Sequence, residues 1–218
     1  MPKVFLSAGH GGIDSGAVAN GLYEKTINLN TLLACQKELL RHGITVVCSR
    51  TTDTNDPVSQ EVKEANASNA DVAVSFHANA GGGDGFEAFH CSTNTKGKKL
   101  ARLCEDHVKA LGQNSRGLKN GDHLYFIKNT KMTAVLVESF FVDNKNDKKI
   151  GDTAAKQRLL GVAYAKAILE YLGITCKAAV SENELYRVQV GAFREEANAK
   201  AEQKKLHEAG FEAIVVKE

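Results

Sequence analysis

The sequence predicts an α/β fold: a mixed, mostly parallel twisted sheet with helices on both faces, followed by a small strand–helix–strand unit. Three observations point there. Short apolar runs bounded by Gly, Asn and Asp recur along the chain, as buried strands do. Stretches with apolar residues at helical spacing stand between them, and that alternation builds a sheet covered by helices. Near residue 174 the rhythm stops, and the remainder is too short to bury much core alone.

Taken in order, residues 3–8 (KVFLSA) read as the first strand, and 9–22, with five glycines, as a loop. Ile27, Leu29, Leu32, Leu33, Cys35, Leu39 and Leu40 mark a helix over 25–40 that His42-Gly43 ends. Residues 44–48 form the second strand; a polar loop, 50–57, leads into a helix reaching Ser68. The third strand is 71–77, and the glycine-rich turn at 81–85 joins it to a fourth, 86–91, as a hairpin. An amphipathic helix covers 95–111, a polar stretch 112–122, and strands follow at 123–127 and 133–138. The helix over 152–172 is capped by Gly173. Residues 174–184 read as a linker between a domain at 1–173 and a unit at 185–218. In that unit 186–193 alternates like a strand, 195–209 is helical up to Gly210, and 211–216 is a second strand.

With 43% hydrophobic and 25% charged residues over 218 positions, the composition is that of a globular domain with a small appendage. No run of eighteen apolar residues exists, which excludes a helical membrane span. A net charge of +2 with no basic stripe gives no reason to expect nucleic acid, and mildly favours an anionic cell wall. Only Lys3 precedes the first apolar stretch, which reads as a strand rather than an export signal. The expectation is a protein that stays in the cytoplasm until lysis releases it to the wall. Five cysteines with no Cys-x-x-Cys pair read as buried thiols of a reducing compartment.

In an open α/β sheet, side chains at the carboxyl ends of strands converge on one crevice. His10, His77 and Glu138 all end apolar runs, and Glu24 follows the glycine-rich loop after His10. Two histidines and a carboxylate are a hydrolytic zinc set, with a coordination position left for water. A further carboxylate can then shuttle protons. Blander readings stand beside this one: Glu24 as a first-turn helix acid, Glu138 as a rim acid paired with Lys145, each histidine as a bonded structural residue.

Four segments also carry a resemblance: Gly9-His10-Gly11-Gly12-Ile13-Asp14-Ser15-Gly16-Ala17, Glu24-Lys25-Thr26-Ile27-Asn28-Leu29, Ser75-Phe76-His77-Ala78-Asn79-Ala80 and Glu138-Ser139-Phe140-Phe141-Val142-Asp143-Asn144. In this order they resemble the zinc-dependent N-acetylmuramoyl-L-alanine amidases of the endolysin and sporulation-autolysin type. The resemblance runs from about Lys3 to Gly173. It departs at Ser139, where the family usually has glycine, and at Ser7-Ala8, where Asp-Pro is common. It implies a zinc-exopeptidase-like fold and cleavage of peptidoglycan between the lactyl group and the first stem-peptide residue. It also implies Zn²⁺ on His10, Glu24 and His77, with Glu138 moving the protons. The segment Val188-Gln189-Val190-Gly191-Ala192-Phe193, with Asn198-Ala199 and Gly210-Phe211, resembles one of the two strand–helix–strand units of a SPOR peptidoglycan-binding domain. Exposed sheet edges there would pair with a second copy.

Around these residues, Asn28, Asn79 and Asn144 are candidates to orient ligands or substrate. Glu87 and His90 point to opposite faces of one strand, so at most one faces the crevice. His123, opening a strand, is placed to line the site; His42, His107 and His207 read as solvated, and Lys96, Lys98 and Lys99 as a wet helix face. Two alternatives remain open: a zinc peptidase cutting within the stem peptide, and a wall-binding protein without catalysis.

Overall fold

A computed structural model describes residues 1–177, 189–211 and 213–216. Met1–Lys177 form one compact unit and Ala178–Glu218 another. Within the first, six strands make one sheet in the order β4-β1-β5-β8-β6-β7. These are β1 (Lys3–Ala8), β4 (Thr45–Cys48), β5 (Val72–Asn79), β6 (Phe86–His90), β7 (Ser115–Asn120) and β8 (Thr133–Phe141). All neighbours run parallel except β6 and β8. β2 (Val18–Ala19) and β3 (Leu22–Tyr23) pair within the glycine-rich region that reads as plain loop.

Alternation along the strands divides the core in two. Val4, Leu6, Val72, Val74, Val135 and Val137 face α1 (Glu24–Arg41), α3 (Thr95–Lys109) and α5 (Ala154–Tyr171). Phe5, Ala73, Ala134 and Leu136 face α2 (Val58–Ser68) and α4 (Tyr125–Asn129). Strands buried on both faces must be apolar throughout, which is why these runs are continuous rather than alternating. Asn94 caps α3 by accepting from Gly97 N, and Thr153 caps α5 by accepting from Lys156 N. Ser139, the departure from glycine, bonds through its hydroxyl to the buried Tyr164 hydroxyl at 2.8 Å.

Several expectations are corrected. β6 does not form a hairpin with β5; β8 lies between them and bonds both. The longest apolar strand takes the central place because it buries most on both faces. Residues 123–127 are not a strand: 125–129 make the short α4, with Phe126 and Ile127 buried on one side. The strand lies instead in the polar stretch, as β7, an edge whose backbone pairs with β6 while none of its residues is fully buried. His42 is buried, not solvated. Its Nδ1 bonds Glu38 O at 2.8 Å and its Nε2 accepts from Lys177 N at 2.8 Å, closing the end of α1. Residues 174–177 pack back rather than link: Ile174 N donates to Leu169 O and its side chain rests on the core.

In the second unit the described regular element is α6 (Glu196–Glu208), none of whose residues is buried. Residues 189–193, 211 and 213–216 form no strand, contrary to the sequence reading, and 186–188 and 212 lie outside the described residues. A strand needs a partner for its backbone groups, and a unit this small offers little apolar cover.

Candidate active site

The carboxyl ends of β1, β5 and β8 lie side by side, and there the sequence-predicted residues meet. His10 follows β1 at φ 66°, in the left-handed region that few non-glycine residues enter. Glu24 opens α1, and His77 stands in register opposite Glu138. Glu24 Oε1 lies 3.2 Å from His10 Nε2 and 2.9 Å from His77 Nδ1. The three ligand atoms fall within 4.8 Å of one another.

The surroundings hold each donor in place. Asp14 Oδ2 sits 2.9 Å from His10 Nδ1, an outer carboxylate that fixes the ring's orientation and makes Nε2 a better donor. Glu24 Oε2 accepts from Ala17 N at 2.8 Å, and Oε1 from Ala78 N at 3.2 Å. Asn28 Nδ2 donates to Gly9 O at 3.0 Å, tying α1 to the His10 loop. The His77 ring lies against Gly9, where an added Cβ would come within 2.1 Å of it. Only glycine leaves room for that ring.

Electrostatics separate the two acids. Burial pushes Glu24 up, yet hydrogen bonds from His10 and His77 outweigh it and hold the carboxyl well below its ordinary range. His10 is pushed up to about 9, chiefly by its bond to Glu24 and against the effect of burial. For His77, burial lowers the value but the bond to Glu24 and the charge of Glu138 raise it further. Glu138 is different: burial pushes it up to about 7, with His77 opposing and the charges of Glu24 and Glu87 assisting. Its Oε2 is buried and has no hydrogen-bond partner among the described residues.

Two imidazole nitrogens and a carboxylate oxygen drawn to one point suit a divalent ion with nitrogen and oxygen ligands. The buried Oε2 of Glu138 beside them suits a group waiting for a proton donor. The donor set therefore fits a metal centre with an adjacent acid–base residue.

Of the outlying candidates, Asn79 Nδ2 bonds Glu87 Oε2 at 3.2 Å, and Glu87 pairs across the ladder with Glu138. Asn144 bonds Gly83 O, Asn146 N and Asp147 N, and so shapes the loops at the rim. His90 bonds Cys91 O, and the His123 ring meets Phe89 edge-on at 6.2 Å. Two residues escaped the sequence reading. Asp14 was legible as an acid four places after His10 in a turn-rich loop. Arg50 was legible as a charge at the end of β4; it is buried and donates to Ala8 O, Gly9 O, Lys25 O and Thr52 O, clamping the loop that presents His10.

Comparison with known proteins identifies the family. Residues 4–170 match the family model for N-acetylmuramoyl-L-alanine amidase, and residues 164–218 that for the SPOR domain. The SPOR match thus begins on α5, whose Tyr164 and Ile168 are fully buried in the catalytic core. The chain is 35% identical to the N-acetylmuramoyl-L-alanine amidase CwlM of Bacillus licheniformis, over 99% of this chain and 85% of that protein. It is 31% identical to the sporulation-specific N-acetylmuramoyl-L-alanine amidase of Bacillus subtilis, with the same coverage of 99% and 85%. The catalytic domain of CwlV from Bacillus (Paenibacillus) polymyxa superposes with a TM-score of 0.74 at 32% identity, over 80% of this chain and 100% of that domain. Fold and likeness agree, and this chain belongs to the N-acetylmuramoyl-L-alanine amidase family, whose reaction is hydrolysis of the amide joining N-acetylmuramoyl to L-alanine in peptidoglycan.

Proposed function

We propose that the crevice at the ends of β1, β5 and β8 is where this amidase cuts, with a zinc ion on His10, Glu24 and His77 and with Glu138 as acid–base residue. The observation that carries the reading is the convergence of three metal-type donors within 4.8 Å beside a buried carboxylate oxygen that has no partner among the described residues. Bound there, zinc supplies a Lewis acid for a carbonyl and acidifies water. Glu138 takes a proton from the water that attacks the lactyl carbonyl and returns it to the amine of L-alanine as that amine leaves. Its raised pKa suits the second transfer, and a cation held nearby would lower it toward what the first needs. Asp14 keeps the His10 ring oriented, and Arg50 keeps the loop from drifting. Product analysis tests this: alanine N-termini should appear without new reducing sugar ends, and chelation should stop their release until zinc is restored. New amines within the stem peptide instead would mark a peptidase.

The reading extends to the whole chain as a catalytic domain that takes in the packed residues 174–177, a linker from there to 184 and a unit at 185–218 that engages the wall or a second copy. In the last, Val190, Phe193, Phe211, Ile214 and Val216 stand exposed, more apolar surface than a helix without buried residues can cover. Light scattering should show association that truncation after Lys177 removes, and a pelleting assay should show weaker retention on cell walls. Equal size and equal pelleting of both chains would refute this role for the unit. No helix among the described residues is long and apolar enough to cross a membrane.

A further inference from the structure

The edge strand β7 carries one residue too many. Phe86 pairs with Ser115 and Ala88 with Leu118, so Arg116 and Gly117 together stand opposite the single Glu87. This is a β-bulge, a device that re-aims side chains near functional sites. Gly117 takes φ +83°, and a Cβ there would meet nothing within 4 Å, so glycine serves the dihedral rather than the space. In an unbroken strand, residues three apart face opposite sides. The extra residue changes that count, and Arg116 and Lys119 both turn toward Glu87. Arg116 Nε lies 2.7 Å and Lys119 Nζ 3.8 Å from Glu87 Oε1. The Arg116 guanidinium also sits over the Phe141 ring, 5.4 Å from its centre.

The proton transfers described above use none of these groups. Glu87 is buried, while Arg116 and Lys119 keep 44% and 38% of their side-chain surface exposed. Two cations against one carboxylate leave excess positive charge on the rim. Arginine's planar fork suits carboxylate recognition, and the bond to Glu87 occupies Nε alone. The position is informative as well. Glu87 is directly across the ladder from Glu138, and β7 lies one strand further out. At about 4.8 Å per strand, the backbone of β7 runs roughly 10 Å from that of the acid, and the two cations reach back from it toward Glu87.

We propose that Arg116 and Lys119 form a subsite for the free carboxylate on the second residue of the stem peptide, so that the leaving peptide lies across β6 and β7. This rests on the reading that Glu138 serves the scissile amide. An extended peptide advances about 3.5 Å per residue, so a carboxylate on the second residue, together with the length of the arginine side chain, spans the gap. Glu87, held by Asn79, is the positioning residue that keeps Arg116 on the rim.

The test uses the full-length, zinc-loaded enzyme and two synthetic muropeptides differing only in whether that second-residue carboxyl is free or a primary amide. Both are soluble and carry no other wall polymer, so anions elsewhere in the wall cannot contribute. The wild type should prefer the free acid by about tenfold or more in kcat/KM, the difference lying mainly in KM. Arg116→Gln and Lys119→Gln should each pull the ratio toward one, and Arg116→Lys should restore part of it. Lys119 makes only a long contact, so its variant remains decisive even if Arg116→Gln folds poorly. A wild type indifferent to the amide, or folded variants that keep the wild-type ratio, would overturn the subsite while leaving the amidase reading intact. A Glu138→Gln enzyme that turned over both substrates at wild-type rates would overturn the assignment of the acid, and with it the reach argument.

Discussion

Glu24 and Glu138 are the same residue at one crevice, yet the fold gives them opposite characters. Glu24 accepts from both histidines and from two backbone amides, and stays ionised despite its burial. Glu138, two strand widths from β1, has a buried oxygen with no partner among the described residues and a pKa pushed up to about 7. The lesson is that role follows environment rather than residue type. A carboxylate wrapped in donors is fit to hold a cation, and one left dry and unpaired is fit to carry a proton.

The same substitution at the two sites should therefore do different things. Glu24→Gln is expected to abolish turnover and zinc binding together, since it removes the charge on which both histidines converge. Metal content by atomic emission and a lower melting temperature would register it; a zinc-replete Glu24→Gln enzyme would break the contrast. Glu138→Gln should cost about 10²–10⁴-fold in kcat, the range general acid–base catalysis supplies, with zinc content intact. Steady-state kinetics on purified glycan strands, alongside metal analysis, measures both at once.

A weaker perturbation probes the ligand side alone. Asp14→Asn keeps the size of the side chain but removes the charge behind His10, and should weaken zinc affinity by about 10–100-fold. Competition with a chelator of known affinity reads that directly, and an unchanged affinity would mean that Asp14 only shapes the loop.

The smallest effect concerns stability without metal. The folded-state pKa of Glu138 is raised, so the folded protein binds more protons than the unfolded chain at intermediate pH. Stability is therefore lost as pH rises from the ordinary glutamate range through about 7. Metal-free Glu138→Gln should escape that loss and melt higher than metal-free wild type above pH 7, the two converging in acid. Thermal melts across pH would show it. A variant less stable than wild type at every pH would mean that the carboxylate is better solvated than its burial implies.

How far the sequence reached differs from region to region. β1, β5 and β8, and helices α1, α3 and α5, were legible because burial on one or two faces writes itself into apolar spacing. β7 was not: Ser115-Arg116-Gly117-Leu118-Lys119-Asn120 is held by backbone pairing at an edge, and backbone bonds leave no mark on composition. α4 was misread because five residues are too few to separate a helical from an extended period.

At the site, the sequence by itself determined the residue types and their order: His10, Glu24, His77 and Glu138, each where an apolar run meets a loop. That much follows from strands needing apolar bodies and carrying their chemistry at their ends. Only the tertiary structure revealed the different surroundings of the two acids, because desolvation and partners distant in sequence set a pKa. It alone revealed Arg50 beneath the His10 loop, 40 residues on from the histidine it steadies, and set Arg116 and Lys119 on one face through a bulge. Spacing along a chain records periodicity; contacts across a sheet depend on strand order and register, which local sequence does not encode.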